Sequence, residues 1–186
     1  MRTLVVNNDR LENEQDSVGD ALLDGDYFTG VAFEVHEATG AVVGVSGYKY
    51  GKRHGPFRVW HRSGRLKEEE YVELGAFHGP TRRWHRDGQL AEFEHYERFI
   101  LTRSKRWDES GKLINEYSLR DAATLAKLEH ERKGRPRPVI DIDLTSFTFF
   151  ERPEAWGQNE SDLPAPQAAP SLELCRALEA RSSSER

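Results

Sequence analysis

Apolar and polar residues alternate in short runs between residues 27 and 117, and glycine turns separate the runs. Alternation is the period of a half-buried β-strand, and Ser-Gly and Asp-Gly pairs are typical of tight hairpin turns. The turn glycines Gly40, Gly64, Gly88 and Gly111 follow one another at intervals of 24, 24 and 23 residues. Self-similarity at one period is typical of a repeat array. The segments 52–55 and 76–79 are predicted to be the return turns, which lead from one hairpin to the next. The pattern therefore predicts a mainly β fold, a long meander of short antiparallel hairpins.

The pattern changes after Tyr117. Ser118 is a suitable N-cap for a helix that runs up to Gly134, with an acidic residue three positions after the cap. We expect this helix to pack across the end of the meander. Beyond it, alternation over Val139–Phe150 predicts an extra strand, and the leucine spacing over Ser171–Ala180 predicts a short helix on a Pro- and Ala-rich linker.

These elements divide the chain into four parts: an N-terminal edge strand with an acidic loop (1–26), the meander of about four repeats (27–117), a capping helix and strand (118–152), and a flexible linker with a short helix (153–186). A length of 186 residues suits one domain with a tail. The hydrophobic share of 37% is low for a compact core. A repeat array tolerates it, because each unit packs only against its neighbours.

Cysteine usage and hydropathy restrict the class of protein. Cys175 is the only cysteine, so we expect no internal disulfide and no zinc site of the CxxC kind. The N-terminal apolar run is too short for a signal peptide, and no segment approaches the roughly 20 apolar residues of a membrane span. The sequence predicts a cytoplasmic protein.

Charge is distributed unevenly within a total of -5. Residues 1–47 carry a net charge of -7, residues 48–112 carry +5, and the remainder carries -3. A basic middle between acidic ends indicates either an anionic partner or complementary parts of one fold.

A column of tryptophans is the main candidate binding feature. Each of the three stands four residues before a turn glycine, and arginines lie two residues away on the same face of the first two strands. Interaction surfaces are enriched in Trp and Arg, and cation–π stacking suits the pair. The candidate partner-binding residues are Trp60, Trp84, Trp107, Arg58, Arg62, Arg82 and Arg86.

A structural interpretation competes with this one. The tryptophans also suit an apolar ladder along the core. The first strands of the hairpins are basic and the second strands are acidic, so opposite charges would pair across each hairpin on the exposed face. Both interpretations remain open from the sequence.

Metal binding and catalysis find little support. His54, His61, His78 and His85 recur at the repeat period, but no carboxylate or cysteine occupies a matching ligand position. A ladder of hydrogen-bonded imidazoles is the simpler explanation. The sequence has no nucleophile elbow and no phosphate-binding loop before a helix. We expect a protein without a metal, a cofactor or enzymatic activity.

The segments HGPFRVWHRSGRLKEE and FTGVAFEVHEATGAVVGVSGYKYGKRHG resemble the bacterial MORN-variant repeat, whose pattern is close to Gly-Lys-x-x-Gly-x-(aromatic)-x-x-(aromatic)-x-x-(Asn/Asp)-Gly-x-Leu. The resemblance covers about residues 27 to 117, and the fourth unit has Arg103 where the leading glycine is expected. It implies a curved, single-layer β-meander. Members of this family are described as antitoxin-like or immunity-like proteins.

The sequence therefore predicts a non-enzymatic protein–protein interaction module, an antitoxin or immunity protein that binds and occludes a cognate bacterial protein. One alternative is an anion-binding module for RNA or phospholipid headgroups, through the basic Trp/Arg face. A second alternative is a structural scaffold that associates through its sheet edges. The helix over Ser171–Ala180 either docks on the fold or orders on a partner.

Overall fold

The computed structural model describes residues 4–13, 19–134 and 168–184. Within these ranges the chain forms thirteen strands, a 3₁₀ turn at Asn8–Arg10 and two α-helices. The strands are β1 (Val5–Asn7), β2 (Glu12–Asn13), β3 (Ala21–Leu23), β4 (Asp26–Tyr27), β5 (Gly30–Val35), β6 (Val42–Lys49), β7 (Lys52–Trp60), β8 (Leu66–Glu73), β9 (Ala76–Phe77), β10 (Gly79–Trp84), β11 (Leu90–Glu97), β12 (Ile100–Trp107) and β13 (Leu113–Ser118). The helices are α1 (Ala122–Gly134) and α2 (Leu172–Ser183).

Ten of these strands form one open sheet in the order β1-β5-β6-β7-β8-β10-β11-β12-β13, with β9 paired to β8. Only β1 runs parallel to its neighbour in this sheet, and the other pairs are antiparallel. The strands β2, β3 and β4 form a second, small sheet. The prediction of a mainly β meander of hairpins is confirmed.

The hairpins curve at a recurrent position. The register shifts by one residue just before Trp60, Trp84 and Trp107. Each tryptophan then stands opposite a leucine of the next strand. An extra residue on one strand bends a hairpin and increases its twist. The same device therefore places an aromatic ring and a leucine together in each unit.

The return turns lie two residues earlier than the pattern suggested. Residues 52–55 and 76–79 read as turns in the sequence, but Lys52 opens β7 and Ala76 opens β9. The chain reverses at Tyr50-Gly51 and at Leu74-Gly75, where all four residues have positive φ angles. Tyrosine and leucine are poor turn residues by local propensity, which is why the sequence pattern missed them.

Helix α1 begins at Ala122, not after Ser118. Ser118 ends β13, where it pairs with Arg103 of β12. The carboxylate of Asp121 accepts a hydrogen bond from the backbone amide of Thr124 at 2.7 Å, so Asp121 caps the helix. The expected N-cap was wrong because sheet pairing continues through it.

The contacts of α1 lie at the turn between β11 and β12. Arg98 donates to the carboxylate of Glu131 at 2.6 Å, and Arg132 forms an ion pair with Glu97. Leu128 is the buried residue of the helix. These contacts attach α1 to the turn between β11 and β12, whereas every residue of the terminal strand β13 stays exposed. The expected packing of this helix across the end of the meander is therefore not observed.

Helix α2 is two to three residues longer than predicted, and it docks on the fold. Ser171 caps it by accepting from the amide of Leu174 at 3.1 Å. Cys175 is fully buried, and Leu172 and Leu178 pack against the same apolar cluster. The alternative left open for this helix is therefore resolved in favour of the fold. The strand predicted over residues 139–150, and the linker as far as residue 167, lie outside the described residues.

Helix α2 also closes one edge of the large sheet. The backbone amide of Val5 in β1 donates to the Oγ of Ser182 at 3.0 Å, and that of Asn7 donates to the Glu179 carboxylate at 3.1 Å. An edge strand with free backbone groups is a template for unwanted pairing. Side chains of α2 satisfy those groups here.

We predict that Cys175 of the folded protein reacts slowly with a soluble disulfide reagent. Burial, and after it the charge of Glu179, raise the pKa of its thiol to about 11. About one thiol in a thousand is then ionised at pH 8, and only the thiolate reacts. We expect labelling at pH 8 to be at least a hundredfold slower than in denaturant. Complete labelling within the mixing time would show that α2 is not docked.

Candidate interaction surfaces

The tryptophans of the first two hairpins lie in the core. Trp60 and Trp84 are 2% and 5% exposed, and they share one apolar cluster with Phe33 and with Cys175 of α2. Trp107, in the last hairpin, is half-buried. The alternative between core and surface is therefore resolved for two of the three rings. A partner can reach those two only after α2 moves.

Arg58 and Arg82 are buried beside them, on both sides of one carboxylate. Glu69 of β8 stands opposite Arg58 of β7 and opposite Arg82 of β10. Its Oε2 accepts from the Nε of Arg58 at 2.8 Å, and its Oε1 accepts from the Nη1 of Arg82 at 3.2 Å. All three side chains are essentially inaccessible to solvent. Arginine and glutamate pair as the sequence predicted, but the expectation that these two arginines are exposed was wrong.

A second ion-pair cluster occupies the opposite face of the same strands. Arg83 of β10 contacts Glu68 of β8 and Glu92 of β11, each at 2.6 Å, and Glu94 at 3.2 Å. Burial, and after it the Glu68 carboxylate, raise the pKa of the adjacent Glu70 to about 7. A single guanidinium thus lies among four carboxylates on this face.

The β8–β10 junction depends on these pairs. Only Arg82↔Glu69 and Arg83↔Glu68 are in register there, whereas the neighbouring hairpins have five or more registered pairs. One of the two pairs lies on each face of the sheet. The short strand β9, which leads into β10, adds Val72↔Phe77 and Glu73↔Ala76 to the same side of β8. Opposite charges therefore reinforce this junction on both faces of the sheet.

Arg62 and Arg86 are the exposed members of the predicted set. They lie on the turns that close the β7–β8 and β10–β11 hairpins, apart from the buried tryptophans. The structure thus brings Trp60, Trp84, Arg58 and Arg82 together in the interior. Arg62 and Arg86 lie apart from them, on the hairpin turns at one end of the strands. Whether any of the seven contacts a partner remains a prediction.

His61 and His85 connect successive hairpins at the same end of the strands. The Nε2 of His61 lies 3.4 Å from the backbone oxygen of Trp84, and the Nε2 of His85 lies 3.1 Å from that of Trp107. Two of the four histidines thus connect units, each through a backbone carbonyl and not through another imidazole. The Nδ1 of His54 lies 3.3 Å from the amide of Leu74 instead, so the predicted ladder of imidazoles is found only in part. Across the described ranges, no group of three or more His, Cys, Asp or Glu side chains is placed to hold a metal ion.

Sequence reasoning missed a surface at the other ends of the strands, where the return turns lie. Tyr50, Leu74 and Phe99 are 67%, 49% and 63% exposed, and each lies in a two-residue turn. The backbone joins these turns in series: the amides of Gly51, Gly75 and Phe99 donate to the carbonyls of Phe28, Arg53 and Phe77 at 2.8, 2.8 and 3.0 Å. We call Tyr50, Leu74 and Phe99 the turn row.

The turn row has a conformation that its residues disfavour. The φ angles of Tyr50, Leu74 and Phe99 are 51°, 48° and 67°, in the left-handed region that bulky L-residues avoid. Two-residue hairpin turns with two positive φ angles prefer Asn-Gly or Asp-Gly. The turn at Asp24-Gly25 has that ordinary pair, with φ angles of 55° and 88°. The signal in the sequence was therefore a large apolar residue in place of Asn or Asp at Tyr50 and Leu74, and in place of Gly at Phe99.

No protein-family profile, curated protein or solved structure matches the chain. The resemblance to the MORN-variant repeat accordingly stays a prediction.

We predict that Glu69→Gln destabilises the protein strongly. It removes the carboxylate charge that two buried guanidiniums share, and breaking a buried pair in this way costs about 3–5 kcal/mol. Chemical denaturation measures the loss. Glu94→Gln, which removes a partly exposed carboxylate from the Arg83 cluster, is the matched control and should cost about 1 kcal/mol or less. Equal effects would show that the buried triad has no special role.

We predict that Leu74→Asn stabilises the protein by about 1 kcal/mol. Asparagine tolerates the left-handed conformation that costs a leucine roughly 1–2 kcal/mol, and an exposed leucine loses little packing. The change is measured by denaturant unfolding. A loss of stability would mean that the leucine side chain supports the fold.

Proposed function

We propose that the chain is a non-enzymatic protein–protein interaction module. The observation that carries the proposal is the turn row, in which three large apolar side chains are exposed in a strained conformation at successive turns. Backbone strain outside the requirements of a fold concentrates at functional positions. Exposed aromatic and aliphatic groups in one row are typical of protein interfaces.

The specific role that we propose is that of an antitoxin-like or immunity-like protein of bacterial origin. It rests on the resemblance of residues 27–117 to the MORN-variant repeat. Binding would occlude a cognate protein sterically, in the cytoplasm. None of the described helices is long and apolar enough to cross a membrane. The anion-binding alternative has less support, because Arg58, Arg82, Arg83 and Arg106 are paired with glutamates of the same sheet.

The scaffold alternative has one observation in its favour. Every residue of the edge strand β13 is exposed, including Leu113, Ile114 and Tyr117. At the other edge of the sheet, α2 covers the backbone of β1. An exposed edge with apolar side chains is suited to self-association.

Affinity capture with matched variants tests the proposal. The tagged full-length chain is compared in its own host with Tyr50→Asn/Leu74→Asn/Phe99→Gly, which restores ordinary turn residues. The control is Leu113→Thr/Ile114→Thr/Tyr117→Thr, which removes as many exposed apolar groups from β13. We expect one protein in equimolar amount, retained by the control and reduced at least tenfold by the turn variant.

The captured protein also tests the antitoxin role. Expressed alone it should arrest growth, and co-expression of the wild-type chain, but not of the turn variant, should restore growth. A harmless partner would contradict the antitoxin role and leave the interaction module. Recovery of a second copy alone, lost in the β13 control, would establish the scaffold instead. Capture of nucleic acid or lipid that salt removes from the tagged chain would establish the anion-binding alternative.

A further inference from the structure

The geometry of the turn row restricts what can bind to it. Two strands separate each turn from the next, so at about 4.8 Å per strand the turns stand about 10 Å apart. The hydrogen bonds from Gly51, Gly75 and Phe99 to the preceding turn region hold this spacing through the backbone. The three turns are therefore evenly spaced. Tyr50 and Leu74 are the first residues of their turns, and Phe99 is the second residue of its turn, after Arg98.

The backbone amides of the turns at Tyr50-Gly51 and Leu74-Gly75 already have hydrogen-bond partners. Besides the amides of Gly51 and Gly75, the amide of Tyr50 donates to the Oγ1 of Thr29 at 2.9 Å, and that of Leu74 lies 3.3 Å from the Nδ1 of His54. A partner that adds a strand needs free backbone groups along the edge. The partner must contact the turn row through side chains instead.

We propose that the turn row binds an amphipathic α-helix of the protein partner, with apolar side chains seven residues apart. Seven residues of helix rise about 10.5 Å, which matches the spacing of the turns. Side chains at i, i+7 and i+14 of such a helix meet Tyr50, Leu74 and Phe99 in turn. This inference rests on the proposed function, since it specifies the partner of the same surface.

The chain itself contains an example of a helix held at one of these turns. Helix α1 is fixed by the ion pairs Arg98–Glu131 and Glu97–Arg132. Glu97 ends β11 and Arg98 is the first residue of the turn, so both directly precede Phe99. Charged residues next to the apolar turn position thus bind polar positions of a helix. We expect Lys49 and Glu73, which precede Tyr50 and Leu74, to face the polar positions of the partner helix.

Charge argues against a lipid surface as the occupant. The residues that directly precede Tyr50, Leu74 and Phe99 are Lys49, Glu73 and Arg98, so charges of both signs border the row. An anionic membrane attracts clusters of basic residues. Charged residues of both signs beside the row suit a protein partner that also carries charges of both signs.

Site-directed photocrosslinking in the host tests the proposal on the full-length chain. The photoreactive residue p-benzoylphenylalanine replaces Tyr50, Leu74 or Phe99, one position at a time. Arg62 and Arg86, exposed on the opposite edge, provide the matched control positions. We expect all three row positions to crosslink to one protein. The crosslinked residues of that protein should lie about seven residues apart within one helix, and the two control positions should give less than a tenth of the product.

Each other outcome overturns the helix proposal. Crosslinks to this chain's own residues 135–167, to a second copy, to lipid, or to residues without helical spacing assign the row to another occupant. Crosslinks to a protein from Arg62 or Arg86 alone would leave the interaction module intact and move its binding surface to the other edge. The absence of a protein crosslink at all five positions would overturn both proposals.

Discussion

The fold depends on the ion pairs between β8 and β10. Two registered residue pairs join these strands, and both consist of arginine and glutamate, one pair on each face of the sheet. The interior pair continues to Arg58, so a single buried carboxylate connects three strands. Buried charges are costly unless they are paired and hydrogen-bonded. A thin sheet with a low apolar content can meet this requirement, because neighbouring strands bring the opposite charges into register.

The sequence predicted those parts of the fold that local chemistry determines. Glycine at the turns and alternation along the strands predicted the hairpins, and the leucine spacing after Ser171 predicted α2. The sequence did not reveal which face of the strands is covered. Arg58 and Trp60 were expected on one face, as found. Whether that face is open depends on α2, which docks from more than one hundred residues away in the chain.

Two local errors have the same origin, because tertiary context overrode local propensity. Ser118 has the chemistry of an N-cap, but strand pairing with Arg103 extends through it and Asp121 takes the role. Tyr50 and Leu74 lack the chemistry of turn residues, yet they form turns because the strands on both sides are fixed by pairing. The second error concealed the turn row, so the candidate surface was the part least accessible to sequence reasoning.

The distinction between core and interface follows from these observations. Tryptophan and arginine are frequent at interfaces, but here the apolar cluster and the carboxylate of Glu69 use them for the fold itself. The large residues of the turn row have no comparable use, because Asp24-Gly25 forms the same kind of turn with ordinary residues in the same chain. A strained, exposed and apolar side chain that the fold does not require needs another explanation. The contact with a partner that we propose would account for its exposure, its strain and its recurrence together.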